Sequence, residues 1–254
     1  MPNQDPDLSA RASRVAADRT PDALDARRAA AATRLLRVVD ALRTHCAWTR
    51  RLTHGALVEY LVEESYELVE AIEDGEPADE VRGELADVLL QVVLHSAIAE
   101  EDGAFDFADV ADFLSEKMIR RNKHVFAADG SLLGEYPESI EEIIASWDQA
   151  KRAERPRQRD PFASLPRHLP ALTLADKTLG RAERWDAPAA VVPRVDHGES
   201  AGGPPGSVTP ATEAELGGEL LRIVDLARRN GWDAERALRG AVARFTEDVT
   251  RALG

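Results

Sequence analysis

The sequence predicts an all-α protein, and three observations carry that reading. Ala, Leu, Arg and Glu dominate the composition while aromatic residues make up only 5%, a mixture that favours helices over sheets. Apolar residues recur at helical spacing, as in Leu57, Leu61, Leu68 and Ile72, and such a stripe defines the buried face of a helix. Start and stop signals bracket those stripes, among them the turn Asp74-Gly75-Glu76-Pro77 and the Ser-x-x-Glu pattern of Ser139 and Glu142, a capping box.

Residues 1–30 are polar and Ala-rich without sustained periodicity and are expected to form a mobile, partly helical extension. Residues 31–155 are dense in helical signals and hold four helices. The first runs from about Gly55 to Glu73. The second runs from Ala78 to about Glu100, with its apolar middle, Val88 to Leu94, expected to be buried on most sides. The third follows Asp106, whose carboxylate can cap it with Asp109 three residues on, and reaches about Asn122. The fourth runs from Ser139 to about Glu154. Residues 156–186 form a connecting segment with one helix near Leu172–Arg184. Residues 187–212 hold Pro188, Pro193, Gly202, Gly203, Pro204, Pro205, Gly206 and Pro210; that composition buries too little apolar surface to offset ordering and predicts a disordered linker. Residues 213–254 return to helical spacing.

Charge and cysteine content narrow the function. A formal net charge of -14 opposes a nucleic-acid-coating surface, because a polyphosphate backbone needs a field of the opposite sign; no nucleic-acid partner is expected. The single cysteine, Cys46, permits neither an intramolecular disulfide nor a Cys-rich zinc site and fits a reducing, cytoplasmic setting. Asp5, Asp7, Arg11 and Arg14 interrupt any apolar core of a secretory signal, and no window approaches a membrane span.

The most informative feature is where acids fall on the apolar stripes. Glu64 lies in phase with Leu57, Leu61 and Leu68, so it should face inward, flanked by Glu63 and Glu67. Glu84, Asp87 and Gln91 form a polar stripe beside Val81, Leu85, Val88, Leu89 and Val92 on the second helix. In an antiparallel hairpin, residues equidistant from the turn lie abreast. Glu64 and Asp87 share a midpoint with Glu67 and Glu84, between Gly75 and Glu76, which is the predicted turn. Four carboxylates would therefore converge, and they repel unless protonated or neutralised by a cation. All-oxygen ligation without histidine suits Mg²⁺, with Mn²⁺ as an alternative, over zinc. The competing reading is an exposed acidic face paired with Arg82 or lysines elsewhere.

Lys117 and Arg121, one turn apart on the third helix, suit a phosphate chain. Trp147 and Lys151 repeat that spacing on the fourth helix and offer a ring face and another cation. A basic surface countering the overall acidity, and a Trp packed in the core, explain the same residues without a ligand.

Glu63-Glu64-Ser65-Tyr66-Glu67 followed by Glu84-Leu85-Ala86-Asp87 resembles the EExxE and ExxD signature of the MazG family of all-α nucleoside triphosphate pyrophosphohydrolases. The resemblance extends through Trp48, Thr53-His54, Gly83–Gln91, Phe105-Asp106-Phe107, Lys117, Arg120-Arg121, His124-Val125-Phe126 and the Trp147–Lys151 segment, covering about residues 40–155. Lys123 stands where the family usually has a proline. The resemblance implies a MazG-like helical bundle with Glu64, Glu67, Glu84 and Asp87 as Mg²⁺ ligands, and Lys117, Arg121, Trp147 and Lys151 against a nucleoside triphosphate. It also implies a homodimer.

Relatives often carry a second copy of the domain, and the C-terminal segment reads as a degenerate one. Glu215-Leu216-Gly217-Gly218 parallels Glu84-Leu85-Ala86-Asp87 but has lost the carboxylate at Gly218. Arg244 would correspond to Lys117, Asp248 replaces Arg121 with the opposite charge, and no EExxE helix precedes Glu215. A non-catalytic segment that packs or helps oligomerise is expected.

The reading that follows is hydrolysis of a nucleoside triphosphate to monophosphate and pyrophosphate, a nucleotide-pool housecleaning activity, with Glu63 as candidate general base. A carboxylate-bridged di-iron bundle would want Glu-x-x-His pairs, and position 92 before His95 is Val. A non-catalytic helical dimerisation module derived from the same family is the alternative. Base, sugar, metal count and the phosphorus attacked are not legible in the sequence.

Overall fold

A computed structural model describes residues 21–136, 139–154, 160, 162–185 and 210–253. Among them are eight α-helices: α1 (Pro21–His45), α2 (His54–Glu73), α3 (Ala78–Glu101), α4 (Phe107–Arg121), α5 (Ile140–Ala153), α6 (Ala171–Arg184), α7 (Glu213–Arg229) and α8 (Ala234–Leu253). The only strand-like pairing among these residues is an isolated antiparallel bridge between Phe126 and Leu132. The protein is all-α. Its chain divides into two compact units, residues 1–151 and 152–254. The expected linker at 187–212 lies, but for its last three residues, outside the described residues, as do residues 1–20 of the expected extension.

Local chemistry explains the helix boundaries. Thr53 caps α2 by accepting from the Ala56 N–H, and Gly75, at φ +70°, turns the chain out of it, a conformation that costs a residue without Cβ little. Asp106 and Asp109 form a reciprocal capping box at the start of α4. Ser139 supplies half of such a box to α5, accepting from the Glu142 N–H at 3.2 Å, while its hydroxyl donates to Glu141. The helix α1 was not among the four expected. It starts at Pro21, a residue suited to a first helical turn, and it takes in the last ten residues of the expected extension.

The first unit is built on the antiparallel pair α2 and α3, with α1 laid across them. Leu57 of α2, Val93, Leu94 and Ile98 of α3, Val39 of α1 and Leu52 form one buried cluster. Two expectations of burial change. The α2 stripe ends on buried Ala71, and Ile72 is turned outward. The middle of α3 is covered on one side only, since Leu85, Leu89 and Val92 are exposed; one helical neighbour covers one stripe and leaves the next in the open.

Arg43 locks the crossing of α1. Its side chain is 6% exposed, donates to the carbonyls of Thr49 and Leu52 and forks onto both oxygens of Glu101 at the end of α3. The bidentate bond raises the guanidinium further above its ordinary value and lowers Glu101.

The second unit packs α6 against α7, with α8 touching both. Arg228 of α7 pairs with Asp176 at 3.5 Å and with Glu183, lying where Gly180 of α6 leaves room: a Cβ there would meet its Nη1 at 2.6 Å. Glu235 at the start of α8 accepts from the backbone and hydroxyl of Thr173.

Replacing Arg43 by Met should destabilise the fold by about 2–3 kcal/mol at neutral pH, because two carbonyls and a carboxylate lose a charged donor at once. Urea unfolding of single and double variants checks this. Glu101→Gln alone should cost less, since Glu101 is half-exposed and partly screened by water.

Candidate metal and phosphate site

The α2–α3 pairing decides which acids meet. Glu64 on α2 and Glu84 and Asp87 on α3 each offer a carboxylate oxygen, all within 4.8 Å of one another. No other group of three or more such ligands occurs among the described residues. Glu67 stands next to this trio, and its charge acts on Glu84. Glu63 is exposed on the outer side of α2 and acts on Glu64 through its charge.

The electrostatics follow from that crowding. Partial burial raises the Glu64 carboxyl above its ordinary value of 4.5, and the charges of Asp87, Glu67, Glu63 and Glu84 raise it further. Glu84 is raised by burial, then by Glu67 and Asp87. Among the described residues no ion pair joins a Lys, Arg or His to Glu64, Glu67, Glu84 or Asp87. The donor set fits a hard divalent ion. Three carboxylates this close offer an all-oxygen donor set of the kind such an ion takes.

A cationic group sits on α4 and α5. The Arg121 guanidinium and the Lys151 ammonium each lie 5.2 Å from the centre of the Trp147 ring, inside the range of cation–π attraction. Both cations therefore lie against the same indole ring. Lys117 is half-buried one turn before Arg121. A cavity of about 710 Å³ beneath the Phe126–Leu132 bridge draws on Glu116, Ile119 and Arg120 instead, a different face of α4 from Lys117 and Arg121.

Sequence reasoning missed one pair. His54 at the start of α2 and His95 near the end of α3 have Nδ1 atoms 2.7 Å apart and rings 7° from parallel, with centroids 5.0 Å apart. The two nitrogens lie within hydrogen-bond distance, so one ring donates and the other accepts according to their tautomers. Burial, then the charge of His54, lowers the His95 value. Hairpin register could have found them, since their midpoint falls one residue from that of the acids.

Comparison with known proteins agrees with this architecture. Residues 52–126 match the MazG nucleotide pyrophosphohydrolase domain. The chain is 36% identical over 225 residues to the nucleoside triphosphate pyrophosphohydrolase of Escherichia coli, covering 84% of this chain and 83% of that protein. It is 37% identical over 219 residues to the nucleoside triphosphate pyrophosphohydrolase/pyrophosphatase MazG of Thermotoga maritima, covering 84% and 82%. With the nucleoside triphosphate pyrophosphohydrolase of Mycobacterium tuberculosis it shares 36% over 256 residues, 99% of this chain and 72% of the relative. Such an all-helical chain with a convergent acidic cluster is a hydrolase of phosphoric anhydrides. It belongs to the MazG family of nucleotide pyrophosphohydrolases.

The raised carboxyls give a signed pH dependence. A fold that raises an acid's value favours its protonated form, so the contribution of Glu64 and Glu84 is most favourable below 4.5 and is lost as pH rises through the folded values. Metal-free Glu64→Gln should therefore melt above wild type at neutral pH, with the gap closing below about 4.5. Thermal unfolding in chelator across pH reads this; a lower melting point at pH 7 would contradict it.

Proposed function

We propose that the chain hydrolyses nucleoside and deoxynucleoside triphosphates to monophosphates and pyrophosphate, in nucleotide-pool housecleaning, at one site made by α2, α3, α4 and α5. The observation that carries this reading is the meeting of Glu64, Glu84 and Asp87 within 4.8 Å with no cation of the described chain paired to them. Glu64, Glu67, Glu84 and Asp87 are the ligands of Mg²⁺, or of Mn²⁺. A bound divalent ion supplies charge neutralisation for the triphosphate and lowers the pKa of a water nearby.

The chain's own residues do the rest. Lys117, Arg121 and Lys151 take the negative charge of the phosphates, and Trp147 holds Arg121 and Lys151 against its ring before substrate arrives. Glu63, exposed beside the cluster, accepts the proton of the attacking water. The α–β anhydride breaks, the water's oxygen joins one of its two phosphorus atoms, and the bridging oxygen leaves with the other.

A second copy completes the assembly in this reading. Val58 and Val62 on α2, and Leu85, Leu89 and Val92 on α3, leave apolar surface exposed on the helices that hold the acids, the kind of surface a homodimer covers. No described helix is long and apolar enough to cross a membrane, which is compatible with a cytoplasmic enzyme.

Pyrophosphate release measured over a panel of nucleoside triphosphates with Mg²⁺ tests the activity. Glu64→Ala and Asp87→Ala should abolish it, and wild-type rates in either would remove the assignment. Glu63→Gln should lower kcat by about 10²-fold or more while leaving Mn²⁺ binding intact. Sedimentation should give a dimer for wild type and a smaller species for Leu89→Asp.

A further inference from the structure

The polar stripe of α3 does not end at Asp87. Glu84, Asp87, Gln91, Leu94 and Ile98 follow one another at alternating steps of three and four, so they share one face of the helix. That face is acidic in its first half, and its second half belongs to the buried cluster. Gln91 stands where one passes into the other, a single turn from Asp87. It is 4% exposed, and its Oε1 has no hydrogen-bond partner among the described residues.

Such an oxygen calls for an explanation. A buried acceptor left without a donor is unfavourable, and buried polar groups are nearly always satisfied. A Leu or Met here would simply extend the apolar seam. The nearest polar groups along that face are carboxylates, which when ionised accept hydrogen bonds and give none. A donor brought to the acidic cluster would satisfy the Gln91 oxygen, which has no partner among the described residues. Water is one, and Mg²⁺ keeps several waters when carboxylates hold it. An amide also suits the place in charge, since it adds an acceptor without a further negative charge.

We propose that Gln91 is a positioning residue of the divalent-ion site, its Oε1 accepting a hydrogen bond from a water in the coordination shell of the ion held by Glu64, Glu84 and Asp87. The inference rests on the metal reading above. It orients that water and helps set metal affinity from outside the ligand set, while contributing nothing to the metal-free fold.

Mn²⁺ titration of the full-length protein, followed by the electron paramagnetic resonance of free Mn²⁺, tests it together with thermal unfolding in chelator. Gln91→Met, close in volume and lacking the acceptor, should bind Mn²⁺ about tenfold more weakly and melt, without metal, at or above wild type. Gln91→Glu, which keeps an oxygen at the same reach, should bind at least as tightly as wild type. An affinity of Gln91→Met within twofold of wild type would overturn the proposal. So would loss of its metal-free fold, because the amide would then be a structural group or the partner of a protonated Glu64. Wild type failing to bind Mn²⁺ would remove the metal reading itself, whereas wild-type binding with unchanged affinity in Gln91→Met removes only the role of Gln91.

Discussion

The acidic cluster of the first unit depends on the antiparallel packing of α2 against α3. That contact buries Leu57 with Leu94 and Ile98 at one end of the seam and brings Glu64, Glu84 and Asp87 together near its middle. The apolar end provides the free energy that holds the helices in place, and the acidic cluster opposes it by like-charge repulsion. The repulsion raises Glu64 and Glu84 and leaves a concentration of negative charge that a doubly charged ion would relieve. Stability and function therefore pull in opposite directions within a few turns of the same two helices.

Other elements hold this pair in register. Arg43 ties α1 to the turn before α2 and to the end of α3 through two carbonyls and Glu101, so the helix that covers the core also fixes where α2 begins. The His54–His95 contact lies at the same end of the hairpin, joining the first residue of α2 to the last third of α3. Gly75 at the opposite end turns the chain without strain. With both ends of the hairpin set, the acids in its middle have little freedom to move apart. On α4 and α5 the opposite arrangement appears, since Trp147 gathers the positive charges of Arg121 and Lys151 as the hairpin gathers negative ones.

Helix phase made much of this legible in the sequence. Glu64 falls in the Leu57–Leu61–Leu68 series, so its inward direction follows from residue spacing alone, and a Gly-containing turn equidistant from Glu64 and Asp87 gives the register. Most limits of α2 to α5 were readable because the signals are local: Gly75, Asp106 and Ser139 act within three or four residues. Less visible was α1, because an Ala- and Arg-rich helix lying on a core has a weak stripe of its own. The exposure of Leu85, Leu89 and Val92 was not visible either. Their apolar character is the same whether a neighbour covers them or not.

The sequence by itself determined the helical class, the order of most helices and the acids that share a face, since these depend on contacts within a turn or two and on the period of the α-helix. Only the tertiary structure decided that Glu67 stands beside the trio, that Arg121 and Lys151 each lie against Trp147, that His54 and His95 come within hydrogen-bond distance, and that the Gln91 oxygen is buried with no partner among the described residues. Those facts depend on rotamers and on distances between helices far apart along the chain, where a shift of about an ångström separates a hydrogen bond from none. Spacing along one helix carries no information at that scale.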